Sequence, residues 1–472
     1  MLKKIAKYGG LALLILIAGG GILYAFGLRV VLDGGGGVHF AFVESADKKA
    51  QAIAAHREAQ KAALPPLSPA APPIEGLETR VPDPIGPTYW TDFRGPLRDG
   101  HYRERPIKTP WPRVMNPMWK QPVGGGYASF VIANGRAFTI EQRGKQEVAA
   151  AYDVRNGREL WTTAWDAIFR ETLGGDGPRA TPTWHGGQLY VLGATGELRA
   201  LDDKTGRTIW RTDILEDAGA ENVQWGMAGA PLVVGSTLIV TPGGSNGQSV
   251  VAYDRASGKR AWAALDDGAA YSSPMLVTLA GVRQVLVFTA TRLVGLTPER
   301  GDVLWEFPWK TQMGINASQP LVIGENRVFV STGYGTGAAV IELTPAGDGR
   351  FAVREVWRNI RMKNQFTSSV LHDGFIYGLD ESILACVDAA TGDLKWKGGR
   401  YGYGQVMLAS GHLIVLTEDG DLALVRATPE KHDEITRFHV LDGPKSWNHP
   451  AMSDAILLIR NDTEMAAFDL RR

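Results

Sequence analysis

One cysteine, Cys386, is present in 472 residues. A disulfide framework within the chain is therefore excluded, as are CxxC metal or redox motifs and a CxxCH haem attachment. The lack of any cysteine near the N-terminus excludes a lipid-modified one. Net charge is also lacking: Lys+Arg and Asp+Glu each number 50, so no overall field draws the chain to nucleic acid or acidic substrates. The nine histidines show no metal-ligand spacing; His185, His372 and His412 fall at hairpin turns. GxxxxGK[ST] is missing. The glycine-rich TPGGSNGQS (241–249) leads into another strand and not into the helix N-terminus that phosphate binding requires.

What is abundant is glycine, with 57 residues, and tryptophan, with 14. Together with strand-like apolar runs they predict many tight turns and an all-β body. The N-terminus differs. Lys3, Lys4 and Lys7 precede 21 uncharged residues, Tyr8 to Leu28, enough for a helix of roughly 31 Å with its N-terminus in the cytoplasm. The run is longer than a signal-peptide core and only Ala25-Phe26-Gly27 resembles a cleavage site, so an uncleaved inner-membrane anchor over 1–42 is the preferred reading over a cleaved signal. Residues 43–63 are rich in charge and helix formers and predict a short exposed helix. Eight prolines between Leu64 and Pro87 then make an extended stalk. The domain proper is assigned to 89–472, outside the cytoplasm, with 43–88 as linker.

Within that domain one phrase recurs. YDVRNGRELW (152–161), LDDKTGRTIW (201–210), YDRASGKRAW (253–262) and VDAATGDLKW (387–396) share a turn Asp, a turn Gly and a closing Trp; LTPERGDVLW (296–305) is a looser copy. The phrase reads as strand, turn, strand, with Asp bonding its own turn and Gly at positive φ. Two further apolar runs precede each copy, giving four antiparallel strands, A to D. Trp119, Trp161, Trp210, Trp262, Trp305, Trp357 and Trp396, followed by Phe438, are spaced by about 46 residues, the period of a propeller blade. Trp119 has no A–C strands before it, while 446–470 supplies A–C without a D strand. The two fragments complete one another, predicting an eight-bladed propeller closed by its N-terminal strand, with the tryptophans docking neighbouring blades.

These phrases resemble the pyrroloquinoline-quinone (PQQ) repeats of quinoprotein alcohol dehydrogenases, over residues 119–470. The same repeats occur in BamB, the propeller protein of the outer-membrane β-barrel assembly machinery, and YWTDFRGPLRDG (89–100) looks like the start of exported PQQ-like proteins without an assigned activity. The resemblance implies two alternatives. One is an envelope scaffold that binds a protein or small ligand, with no cofactor and no nucleic acid. The other is a PQQ- and Ca²⁺-dependent alcohol or sugar dehydrogenase. The adjacent Cys-Cys pair of the membrane dehydrogenases is lacking. No catalytic or metal residue is assigned. Propeller geometry puts the D-to-A connections around the channel mouth, and Arg179, Trp225, Asn316, Lys363, Asn364 and Trp447 there are the candidate ligand-binding residues. In the dehydrogenase alternative Arg179 and Lys363 hold quinone carboxylates, Trp225 stacks, and Glu171 or Asn316 offers metal ligands.

Overall fold

The computed structural model describes residues 23, 27–63, 90–171, 173–443 and 445–472. Most of the expected membrane span and all of the proline-rich stretch lie outside them. No helix among the described residues is long and apolar enough to cross a membrane.

Eight antiparallel sheets follow one another in sequence, each with four strands in the order A-B-C-D. Blade 1 is Val131–Ala133, Arg136–Arg143, Gln146–Asp153 and Glu159–Asp166; blade 8 is Ala451–Ser453, Ile456–Arg460 and Glu464–Asp469, with Trp119–Pro122 as its outermost strand. Ala467 faces Trp119 in that last pairing, so the chain ends share a blade as their complementary fragments predict. Blade 7 (Gln405–Ala409 to Glu434–His439) gains a fifth strand, His101–Tyr102, running parallel to its A strand. The B and C strands are apolar and buried on both faces because each blade lies between two others.

The repeated phrase is the joint between blades. The Asp388 carboxylate accepts the N–H groups of Ala390 and Thr391, and Gly392 sits at φ +79°. In the phrase's own blade a β-bulge precedes the Trp, as between Cys386 and Val387, which re-aims the indole toward the next blade. There the indole N–H finds the carbonyl just after the next turn Asp: Trp119 to Val154 at 2.9 Å, Trp161 to Asp203 at 2.9 Å, Trp210 to Arg255 at 2.8 Å and Trp357 to Ala389 at 3.0 Å. The ring covers the turn glycine. A Cβ on Gly392 would stand 2.7 Å from the Trp357 ring, and one on Gly157 2.8 Å from Trp119. Glycine is thus needed twice, for φ and for space. Most of these indoles are half-buried; Trp305 and Trp396 are buried. Trp305 turns instead into its own blade, onto Gln284, because blade 5 opposite continues as a long hairpin (Gly337–Gly347, Arg350–Asn359) and has no turn phrase to receive it.

Two segments outside the repeat shape the axis. Trp90–Gly100 enters the central channel. The fully buried Arg98 guanidinium donates to the carbonyls of Ala230 (3.0 Å), Pro231 (2.5 Å) and Pro274 (2.7 Å) and pairs with Asp92 (2.9 Å). Arg94 donates to the Ser368 and Ser369 carbonyls across the channel. One short loop therefore gathers the A strands of several blades onto two arginines, both held at positive φ (+62° and +56°) by these bonds.

The second is the stretch 28–63, divided in the sequence between anchor and linker. Leu28–Leu32 and Val38–Phe42 form a hairpin and Ala46–Ala63 a helix. The helix is not the freely exposed one expected: Ile53 and Arg57 are buried. Arg57 donates to the Pro122 carbonyl at 2.8 Å and pairs with Glu159, and Lys49 pairs with Asp462. A single apolar anchor and long polar side chains do this docking, so no apolar stripe marks it in the sequence.

Candidate functional site

The D-to-A connections all converge on one end of the channel, as propeller connectivity requires, and there they enclose a cavity of about 300 Å³. Each connection, or the A-strand residue that follows it, contributes a side chain. Tyr127, Arg179, Trp225, Tyr271, Ile315, Phe366, Gln405 and Trp447 line it in blade order, joined by Tyr334 from a B–C turn. Phe93 of the channel loop and the buried His449 complete the lining. Burial and the nearby Arg94 push His449 down to about 3, so it is neutral at ordinary pH. Its ring is 5.9 Å from Phe93.

The walls are aromatic contacts in series. Trp447 lies 4.5 Å from Phe366 and 5.1 Å from Tyr127; Trp225 meets Tyr271 edge-on at 5.7 Å. Burial raises the hydroxyls of Tyr334 and Tyr403 to about 12, so they remain donors. Two cations are packed on these rings. The Arg179 guanidinium is 4.5 Å from the Phe169 ring centre and 5.6 Å from that of Tyr127, and Lys445 Nζ is 4.5 Å from that of Trp447. Burial lowers both pKa values. Both cations donate to backbone carbonyls, Arg179 to Gly175 at 2.5 Å and to Gly177, and Lys445 to Leu173 at 2.6 Å.

Over this cavity stands the tip of the hairpin, Asp33-Gly34-Gly35-Gly36-Gly37. Leu32, Asp33, Gly34 and Gly36 line the cavity. The Gly34 N–H donates to Glu418 Oε1 at 2.8 Å. The same carboxylate accepts the Trp447 indole N–H at 2.9 Å and the Tyr403 backbone N–H at 3.1 Å. A Cβ on Gly34 would overlap the Tyr403 ring, and one on Gly35 would stand 2.9 Å from its hydroxyl. Gly34 and Gly35 are thus dictated by close approach to Tyr403, whereas Gly36 lies in open space at φ +83°. Sequence reading missed this role, although four consecutive glycines (34–37) before a strand were a visible signal for such an approach.

Of the six candidate residues, the structure brings Arg179, Trp225 and Trp447 to the cavity. The other three lie elsewhere. Asn316 is fully buried and structural: its amide N–H bonds the Thr289 carbonyl at 2.8 Å and its oxygen accepts from Thr332 at 2.9 Å. Asn364 does the same work in blade 6, bridging the Leu379 carbonyl and Ser369. Lys363 is held by Asp380 and Glu381 at 3.5 and 3.1 Å. Polar residues before each A strand are needed to satisfy buried backbone, and sequence alone does not separate that duty from ligand binding.

A sequence family described as outer membrane protein assembly factor BamB matches residues 144–398, more than half of the chain. The chain belongs to this family of PQQ-type propellers. The family's BamB of Bordetella pertussis is 25% identical over 296 residues, covering 59% of this chain and 67% of that protein. The quinohemoprotein alcohol dehydrogenase ADH-IIG of Pseudomonas putida is 30% identical over 146 residues, which is 29% of this chain and 19% of the dehydrogenase. The chain thus matches about two thirds of that BamB and a fifth of the enzyme. Among solved structures, BamB from Moraxella catarrhalis superposes with a TM-score of 0.54 at 16% identity, covering 75% of this chain and 98% of that one. A europium-containing methanol dehydrogenase gives 0.58 at 13% identity, covering 79% and 89%. At these identities the likeness speaks for the fold.

The dehydrogenase-like set of residues does not assemble around the cavity. Lys363 and Asn316 are engaged elsewhere. Glu171 is turned onto the backbone N–H groups of Leu173 and Gly174. Arg179 commits one N–H of each terminal nitrogen to a backbone carbonyl. No three His, Cys, Asp or Glu among the described residues are grouped to hold a cation. The residues at the mouth therefore do not fit a quinone–calcium pair as that reading arranges them.

Proposed function

We propose that this propeller is a membrane-tethered, extracytoplasmic scaffold that binds a polypeptide partner of the cell envelope through its aromatic mouth. The hairpin tip carries this reading. The mouth already receives a side-chain-free stretch of main chain, the Gly34–Gly35 turn, pairing its N–H with Glu418 and packing it on Tyr403. A cavity of aromatic walls with a few convergent polar groups suits a peptide segment. Membership of the BamB family lends it the role of envelope or outer-membrane protein assembly. A photo-crosslinking residue at Tyr334, on the rim, and another at Lys204, on a distant turn, test it in the full chain. Crosslinks to a discrete envelope polypeptide from 334 and not from 204 support the reading; equal or absent labelling sinks it.

The alternative, a PQQ- and Ca²⁺-dependent dehydrogenase, is favoured by the 30% identity to a quinohemoprotein alcohol dehydrogenase. Titration with PQQ with and without Ca²⁺, read by tryptophan fluorescence and thermal unfolding, decides it. Saturable Ca²⁺-dependent binding would revive the enzyme despite the misfit of the mouth.

A further inference from the structure

The hairpin that reaches into the mouth has a second surface. Its register pairs Leu28 with Phe42, Val30 with Phe40 and Leu32 with Val38. Opposed residues of an antiparallel pair share a face, so six apolar side chains make one side of the ribbon. Arg29, Val31, His39 and Ala41 make the other. Four of the six are turned outward: Val30 is 56%, Val38 61%, Phe42 69% and Phe40 72% exposed, while Leu28 is half-buried and Leu32 turns toward the mouth. A two-stranded ribbon is marginal alone in water, and a contiguous apolar face of this kind marks an interaction surface.

The chain itself points to what covers it. Leu28, the first strand residue, is also the last of the 21 uncharged residues read as a membrane span. The apolar face therefore begins where that span ends. Between Lys7 and Glu44 the charged or titratable side chains, tyrosines aside, are Arg29, Asp33 and His39. Asp33 is at the tip in the mouth, and the other two are on the far side of the ribbon, so none interrupts the apolar face. Five residues of strand reach about 17 Å, which sets the distance from the end of the span to the tip.

We propose that the apolar face of the Leu28–Phe42 hairpin lies in the interfacial layer of the bilayer and holds the propeller's mouth toward the membrane. This rests on the tethered reading above and adds an orientation to it. A partner of the mouth then approaches along the membrane surface, and the hairpin ties the mouth's occupancy to that surface.

The test uses the full chain in vesicles of phosphatidylcholine and phosphatidylglycerol. Phe40→Cys is labelled with bimane, and Lys204→Cys serves as the distant control; the buried native Cys386 stays unlabelled. Lipids brominated near the headgroup should quench the label at position 40 roughly twofold or more, with a blue-shifted emission, and leave that at 204 unchanged. Equal, solvent-like emission at both positions in a chain that floats with the vesicles overturns the orientation and leaves the tether standing. A shielded label at 40 that brominated lipid does not quench also overturns it, since a second copy or residues 1–26 then cover the face. A chain that does not float overturns the tether and the orientation together.

Discussion

Gly34 and Glu418 stand 384 residues apart in sequence and share a 2.8 Å hydrogen bond at the propeller mouth. The bond joins a segment that precedes the fold to the blade 7 B–C turn, through a carboxylate that also fixes Trp447 and Tyr403. The tip is thus connected to the same group that orients the cavity wall.

Two substitutions separate these roles. In Gly34→Val the new side chain overlaps Tyr403, so the tip must leave. The propeller itself should lose no more than about 0.5 kcal/mol, while the hairpin becomes cleavable by protease and acrylamide quenches mouth tryptophans more strongly. Glu418→Ala strands two backbone donors and an indole, and should lower global stability by about 1–3 kcal/mol. If Gly34→Val lowers the unfolding midpoint as much as Glu418→Ala does, the tip is part of the fold and not a detachable cover.

Blade docking makes a second comparison. The Trp357 indole N–H bonds Ala389, whereas that of Trp262 has no partner among the described residues. Trp357→Phe should therefore cost about 1 kcal/mol more than Trp262→Phe in urea unfolding. Gly392→Ala meets both the positive φ and the Trp357 ring, and roughly 2–4 kcal/mol is expected. Equal costs for the two Phe variants would remove the hydrogen bond from the account of docking.

The repeat made the architecture readable because each phrase encodes a local turn and a neighbour contact at once. Asp388, Gly392 and Trp396 carry that information without reference to anything distant. Blade 5 lacks the turn phrase, and it was still placed through Trp357 and the spacing. The axis was not readable. Arg94 and Arg98 act on backbone carbonyls of three or more blades, which have no sequence signature, and the docking of the Ala46–Ala63 helix rests on Arg57 reaching Pro122 and Glu159. Asn316 and Asn364 looked like ligands because a buried amide that serves the backbone has the same composition and position as one that serves a guest.

The channel loop supplies a third expectation. Arg98→Met keeps the apolar stem of the side chain but leaves the Ala230 and Pro274 carbonyls without this donor and Pro231 with Thr183 alone. A loss of about 3–5 kcal/mol is expected. Trp225→Ala, on the cavity wall, should cost less and should remove the partner crosslink from position 334. A stable Arg98→Met protein would mean that the loop is an accessory to the axis.

The seam where the ring closes should be the acid-sensitive part of the molecule. Glu141 of blade 1 is fully buried and accepts from Tyr152 at 2.7 Å, from Arg143 at 2.5 Å and from the Gly124 N–H. Arg460 of blade 8, also fully buried, donates to Thr139 and to the Gly124 carbonyl, both at 2.7 Å. Burial alone would raise the Glu141 carboxyl; Arg143 and Arg460 outweigh it and hold the group down to about 2 from an ordinary 4.5. A depressed carboxyl stabilises the fold above its unfolded pKa and loses that contribution as pH falls toward the folded one. The contribution is on the order of 3 kcal/mol, present in full above about pH 5 and lost progressively down to about pH 2. Glu141→Gln takes the carboxylate away from the buried Arg460 guanidinium and leaves Arg143 with Glu159 alone, so it should be less stable than the parent at pH 7. The gap should close as the pH is lowered, because the parent then also carries a neutral group there. Urea midpoints for both proteins from pH 7 to 2.5 measure the gap directly, and the difference cancels the titration of every other carboxylate. A gap that stays constant over that range would show that Glu141 serves the seam as a hydrogen-bond acceptor and not as a charge.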